Sequence, residues 1–159
     1  MVPLLFLSGG MVDLVCTFIF LGAMFAGYLA GGFREIFKVG VMIGLMVLFM
    51  LPSVKAVFLQ FGPAANGIFI VSFLAIYVAA SWLVMWALKG LVESQEGVIG
   101  GLNKAIGIIA GFFKATLLIV FAAYITRFLW SKRMLAEVKP YLDDSFIFSI
   151  ASAILDFFL

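Results

Sequence analysis

The chain has 159 residues, of which 66% are hydrophobic and 11% are charged, and its formal net charge is +2. Soluble domains carry about 25% charged residues, so a chain of this composition needs a bilayer as its solvent. The small net charge gives no reason to expect a nucleic-acid partner. With no histidine and one cysteine, a His/Cys metal site and a Ser-His-Asp triad are excluded within one chain, and no cofactor is expected.

Four apolar stretches are long enough, or nearly so, to cross about 30 Å of hydrocarbon. The predicted spans cover about residues 14–33, 36–54, 67–88 and 105–126. The second is short and ends near Pro52, and the fourth is interrupted by Lys114, so either one is a candidate re-entrant segment. The polar, glycine-rich residues 89–104 predict a loop. We expect one integral-membrane domain over residues 1–159: an all-α, polytopic helical membrane protein with about four transmembrane helices.

The C-terminal tail, residues 127–159, combines basic and apolar residues. Its first part, "RFLWSKRMLAEVKPYLDD", predicts a basic helix at the membrane surface with Trp130 as an interfacial anchor and Pro140 as an interruption. The closing stretch "SFIFSIASAILDFFL" is apolar but short and contains Asp156, which favours an interfacial or packed helix over a fifth span. The run Asp143-Asp144-Ser145 predicts its N-terminal cap. Lysine and arginine numbers on the two faces are nearly equal, so the membrane orientation stays open.

Glycines four residues apart recur in the predicted helices. Residues i and i+4 share one face of a helix, and two glycines on that face let a second backbone approach closely. Close approach matters in lipid because apolar burial alone drives no association of helices there. We interpret these positions as helix-packing sites, with a bend or a thin-walled pathway as the alternative. They are Gly27, Gly31, Gly40, Gly44, Gly107 and Gly111.

Among the charged residues, Lys114 is expected to carry the largest free-energy cost of membrane insertion. A lysine near the centre of a span costs about 2.5 to 3.5 kcal/mol on insertion scales. We expect it to face an acid, a cluster of carbonyls or water, and Asp13 and Glu35 are the acids of the right kind. A structural ion pair, a shallower helix frame and a polar path are the open alternatives. Arg34 and Glu35 are predicted to be solvated loop charges, unless Glu35 starts the second helix, where the helix dipole favours an acid.

The start of the sequence resembles a known family. Asp13 opens the first predicted helix after Met11-Val12, and Gly31-x-x-Arg34-Glu35 follows at the first loop. Together with "LNKAIGIIAGFFK" later in the chain, these residues are similar to the CvpA family, the colicin V production proteins.

The later stretch carries the rest of the resemblance. The family pattern there is an Asp-Arg pair, then Gly-x-x-x-Gly, then a basic residue. Gly107, Gly111 and Lys114 match it, whereas Asn103 and Lys104 stand where the Asp-Arg pair would be. The carboxylate of the family pattern is therefore missing at Asn103. Asp13, Arg34, Glu35, Asn103, Lys104 and Lys114 are the candidate functional residues.

The resemblance covers about residues 11–159. It implies a multi-pass protein of the bacterial inner membrane that supports colicin V production or export, with envelope maintenance or a transport-linked step as its native role. The first ten residues have no counterpart in the pattern, which makes Met11 a candidate start.

The expected partners are the lipid bilayer and either further copies of the chain or a secretion or envelope protein. No paired carboxylates at catalytic spacing and no phosphate-binding loop occur in the sequence, so we expect no enzyme activity. One alternative is a subunit of a small oligomeric channel or transporter. Another is a scaffold that docks a partner through the basic helix over residues 127–139.

Overall fold

A computed structural model of the chain describes residues 9–89, 100–128 and 132–158. Within these ranges all regular elements are helical and no strand occurs, which confirms the all-α prediction. The helices are α1 (Gly9–Ala30), α2 (Gly32–Met50), α3 (Pro52–Leu59), α4 (Ala65–Ala87), α5 (Gly100–Phe128), α6 (Lys132–Asp143) and α7 (Phe146–Phe158), with one 3₁₀ turn at Gly62–Ala64.

Among the described residues, three helical segments are long and apolar enough to cross a membrane: Gly9–Ala30, Gly67–Ala87 and Gly101–Arg127. A fourth crossing exists if α2 and α3 form one span, although the two are bent by 68° at the break between them. This bent pair is therefore either a broken span or a re-entrant loop. The prediction of a polytopic helical membrane protein is confirmed, with three spans or four.

Pro52 explains the bend between α2 and α3. Leu51 has φ −60° and ψ 135°, a conformation that residues before proline favour because the proline ring crowds their α region. Pro52 then occupies the first turn of α3, where its missing N–H is not needed. The ring of Phe49 lies 5.8 Å from that of Phe58 and 5.0 Å from that of Phe69, measured between centroids. These contacts hold α2, α3 and α4 together around the bend.

The loop predicted over residues 89–104 is wrong at its C-terminal end, because α5 already begins at Gly100. Residues 90–99 lie outside the described residues. Two glycines open α5, and glycine is a poor helix former. A hydrogen bond from the Phe33 N–H to Asn103 connects the first turn of α5 to the start of α2.

The described residues form two compact units, one within residues 1–21 and 115–159 and the other within residues 22–114. The expectation of one integral-membrane domain over residues 1–159 stays a prediction. The functional residues predicted from the sequence are divided between the two units. Asp13 lies in the first unit, and the others lie in the second.

In the first unit, Asp13 caps the start of α7. Its carboxylate accepts hydrogen bonds from the backbone N–H groups of Phe146 at 3.1 Å and Ile147 at 3.0 Å, and from the Ser145 hydroxyl at 2.6 Å. The fully buried Ser145 in turn accepts from the N–H of Phe148 at 3.1 Å. Together they satisfy three of the four N–H groups that a helix start leaves unpaired.

The tail of the chain is helical, as expected. Trp130 lies outside the described residues. Pro140 does not interrupt α6, which continues to Asp143; so close to the helix end, a proline removes only one hydrogen bond within the helix. In α7, Leu155 is buried and Asp156 pairs with Arg127, so this short helix packs against its own unit.

Candidate functional site

The site in the second unit includes the turn between α1 and α2. Gly31 alone separates the two helices and has φ +84° and ψ 153°, a conformation that residues with a Cβ rarely adopt. A Cβ there would also lie 2.7 Å from the Asn103 side-chain nitrogen. The sequence predicts Gly31 to be a helix-packing position. In the structure, the backbone conformation of the turn already requires a glycine there.

Three glycines bring the backbones of α1 and α5 into direct contact. A Cβ on Gly27 would collide with the carbonyl oxygen of Gly107, and a Cβ on Gly107 would collide with the carbonyl oxygen of Gly27. A Cβ on Gly111 would collide with the carbonyl oxygen of Ala23. Because the atoms in contact are backbone carbonyl oxygens, no change of side-chain rotamer could relieve these collisions. The crossing therefore depends on hydrogen at these Cα positions.

Gly40 and Gly44 differ from these three glycines. Both are exposed, and a Cβ on either would meet no atom within 4 Å among the described residues. The four-residue spacing puts them on one face of α2, but no described helix covers that face. Their role in helix packing therefore stays a prediction.

The centre of the site is the carboxylate of Glu35 between two lysines. One oxygen, Oε1, accepts a hydrogen bond from Nζ of Lys38 at 2.7 Å, and the other, Oε2, accepts one from Nζ of Lys114. Glu35 is only 1% exposed, and Lys114 is 17% exposed. We refer to Glu35, Lys38 and Lys114 as the charge cluster.

Glu35 is thus not the solvated loop charge that the sequence predicts. It lies in the first turn of α2, where the partial positive charge of the helix start favours an acid. Two ammonium groups then compensate its burial. The alternative interpretation from the sequence, that Glu35 starts the second helix, matches its position.

Lys114 lies midway along the apolar segment Gly101–Arg127. Its partner is Glu35, one of the two candidate acids; the other, Asp13, is bound to the start of α7. The long methylene stem of a lysine lets the ammonium reach a partner displaced along the helix axis. The pair joins residues 79 positions apart in the sequence and so links α2 to α5.

The remaining predicted residues surround the α1–α2 turn. The side-chain oxygen Oδ1 of Asn103 accepts the backbone N–H of Phe33 at 3.1 Å, so it caps the start of α2 from α5. The Lys104 ammonium lies 5.1 Å from the centroid of the Tyr28 ring, within cation–π range. Arg34 is half-buried. The structure thus gathers Arg34, Glu35, Asn103, Lys104 and Lys114 in one unit.

A family model, described as colicin V production protein, matches residues 12–155 of the chain. The chain belongs to this family. No curated protein and no solved structure shows a significant match to it.

Asn103 is the position where the sequence departs from the Asp-Arg pair that the resemblance described above implies. An amide oxygen accepts one N–H as a carboxylate does, and Asn103 uses it on Phe33. The amide therefore provides the capping contact without adding a second acid beside the charge cluster.

Two residues of the site were not nominated from the sequence. Lys38 lies three residues after Glu35, and this spacing, which places the two side chains side by side on a helix, is the signal that could have found it. A Cβ on Gly32 would collide with the side chain of Ile106, a contact for which the sequence carries no signal. The cluster forms an ion-pair network, with two cations for one anion.

Proposed function

We propose that this protein is a multi-pass protein of the bacterial inner membrane that supports colicin V production or export and, in its native role, maintains the envelope. We further propose that it acts without catalysis. Membership of the family and the polytopic helical architecture support the proposal. Its working partner is then a secretion or envelope protein, and the surrounding lipid is its solvent.

The observation that carries the proposal is the ion pair between Glu35 and Lys114. Each oxygen of Glu35 accepts a hydrogen bond from a lysine ammonium group, and in this proposal the carboxylate serves as a structural anion. The pair links α2 to α5 beside the glycine crossing of α1 and α5. Its role in this proposal is to hold the arrangement of helices that a partner recognises.

A complementation assay tests this role in a strain that lacks the protein. Lys114→Ala is expected to lose most of the colicin V production and detergent tolerance that the wild type restores, because Glu35 is left buried with only Lys38. Leu118→Ala, a change on an exposed face of the same helix, should behave as wild type. Both variants are compared at equal membrane levels. Full activity of Lys114→Ala would show that the pair is dispensable for the function.

A second candidate function is a subunit of a small oligomeric channel or transporter. The specific observation in its favour is the surplus cation of the charge cluster, since an intramembrane charge is by default a residue of a polar path. One chain has only three or four candidate spans, and so few helices enclose little volume. A polar path would therefore need several copies of the chain. This candidate predicts a discrete homo-oligomer in mild detergent, measured by light scattering. A strictly monomeric protein would count against the channel and leave the first proposal standing.

A further inference from the structure

A cavity of about 370 Å³ lies in the first unit, between the end of α5 and the helices α6 and α7. Its polar lining combines two cations, one carboxylate and two hydroxyl groups, and apolar side chains complete the wall. The polar lining residues are Arg127, Lys139, Asp143, Thr126 and Ser152. Binding sites for small molecules commonly enclose about 300 to 1,000 Å³, so the volume suits a molecular group rather than a single ion.

The cavity lies at one end of a candidate membrane span. Arg127 is the last residue of the apolar segment Gly101–Arg127, and the end of a span is expected near the boundary between hydrocarbon and water. Basic pockets at this level bind the phosphate groups of lipids. Phe148 and Leu142 also line the cavity and offer apolar contact to the first methylene groups of the acyl chains.

The charges around the cavity decide which headgroup fits. Arg127 already donates to Asp156 through Nη1, and Asp143 lines the same cavity as Lys139. Among the described side chains at the cavity, two cations are thus balanced by two carboxylates, so no surplus positive charge favours an anionic headgroup. The lining instead offers cations to a phosphate and a carboxylate to a second, positive group.

We propose that this cavity binds the headgroup of phosphatidylethanolamine, with its phosphodiester between Arg127 and Lys139 and its ammonium against Asp143. A guanidinium has five N–H donors in a planar fork, so Arg127 can hold both Asp156 and a phosphate oxygen. The lysine contributes a compact point charge, and the carboxylate accepts from the ammonium. This site is separate from the charge cluster and does not depend on the proposed function.

Lipid binding to the purified full-length protein tests the proposal. The protein in lipid-free detergent is titrated with phosphatidylethanolamine and with phosphatidylglycerol of the same acyl chains, and binding is followed by native mass spectrometry. Glycerophosphoethanolamine and inorganic phosphate are titrated in parallel. We expect tighter binding of phosphatidylethanolamine than of phosphatidylglycerol, and weaker binding of both soluble compounds.

Two variants assign the charges. Asp143→Asn is expected to weaken phosphatidylethanolamine binding by about tenfold, the loss of one charge-assisted contact, and to leave phosphatidylglycerol binding unchanged. Lys139→Gln should weaken both lipids. Asp144→Asn removes an exposed acid next to Asp143 that does not line the cavity, and it should change neither affinity. Unchanged circular dichroism shows that the variants are folded.

Three results would overturn the proposal. Tighter binding of phosphatidylglycerol would make the cavity an anionic-lipid site. Inorganic phosphate binding as tightly as the lipid would make it a site for free phosphate. An equal loss in Asp143→Asn and Asp144→Asn would place the lipid elsewhere on the surface. The lipid preference of the wild type decides the first two even if a variant fails to fold.

Discussion

Glu35→Gln is expected to lower the free energy of unfolding by about 3 kcal/mol, near the lower end for removing one partner of a buried ion pair. The amide keeps the size of the side chain and one acceptor oxygen but removes the charge. Lys114, at mid-segment and 17% exposed, then keeps its own charge with no carboxylate to compensate it. Unfolding of the purified protein in mixed micelles with a denaturing detergent, followed by tryptophan fluorescence, measures the loss.

A double-mutant cycle separates the ion pair from a general effect of the substitution. Lys114→Met together with Glu35→Gln should cost less than the two single changes added, because the double variant contains no uncompensated charge at that contact. Asp144→Asn is the matched control for loss of an exposed acid and should stay within about 0.5 kcal/mol of wild type. Strictly additive losses would mean that Glu35 and Lys114 do not stabilise each other.

Gly107→Ala is expected to destabilise the protein by about 1 to 3 kcal/mol, the usual range for overpacking, despite the better helix propensity of alanine. The added methyl group would collide with the carbonyl oxygen of Gly27, so the backbones of α1 and α5 have to separate. The same unfolding assay measures the change, and a cross-link between cysteines placed on α1 and α5 reports the separation directly.

Gly40→Ala is the matched control in the same protein. A Cβ at Gly40 meets no described atom within 4 Å, so alanine adds only its helix propensity and should stabilise α2 by up to about 1 kcal/mol. The two substitutions are chemically identical and should have opposite signs. Equal effects would contradict the close crossing of α1 and α5. A strong loss in Gly40→Ala would instead show that a second copy or another protein covers that face.

The sequence predicts that a lysine within an apolar helix needs a compensating group, but it does not predict which residue provides that group. Lys114 stands out because an apolar helix surrounds it, and the need for a compensating group follows from local composition. The choice of Glu35 over Asp13 depends on a contact across 79 residues, which no local pattern contains. The loop interpretation of Glu35 follows from Arg34 beside it, whereas α2 begins three residues before Glu35, at Gly32.

The glycines show the same limit. Spacing by four places Gly27 with Gly31 and Gly40 with Gly44 on common faces, but it contains no information on whether another helix covers that face. Only tertiary structure distinguishes the buried Gly27 from the exposed Gly40. The helical class and the apolar segments were predictable because they follow from composition and length, and the bend at Pro52 was predictable only as an end of the second segment.

The position of Lys38 has a consequence for the order in which the chain is made. Glu35 leaves the ribosome 79 residues before Lys114, and at about 5 to 20 residues per second this interval lasts several seconds. Lys38 follows Glu35 by three residues in the same helix, so it is present almost as soon as the acid is. Lys38 is therefore available to pair with the Glu35 carboxylate before α5 has been made, and Lys114 completes the cluster when α5 follows.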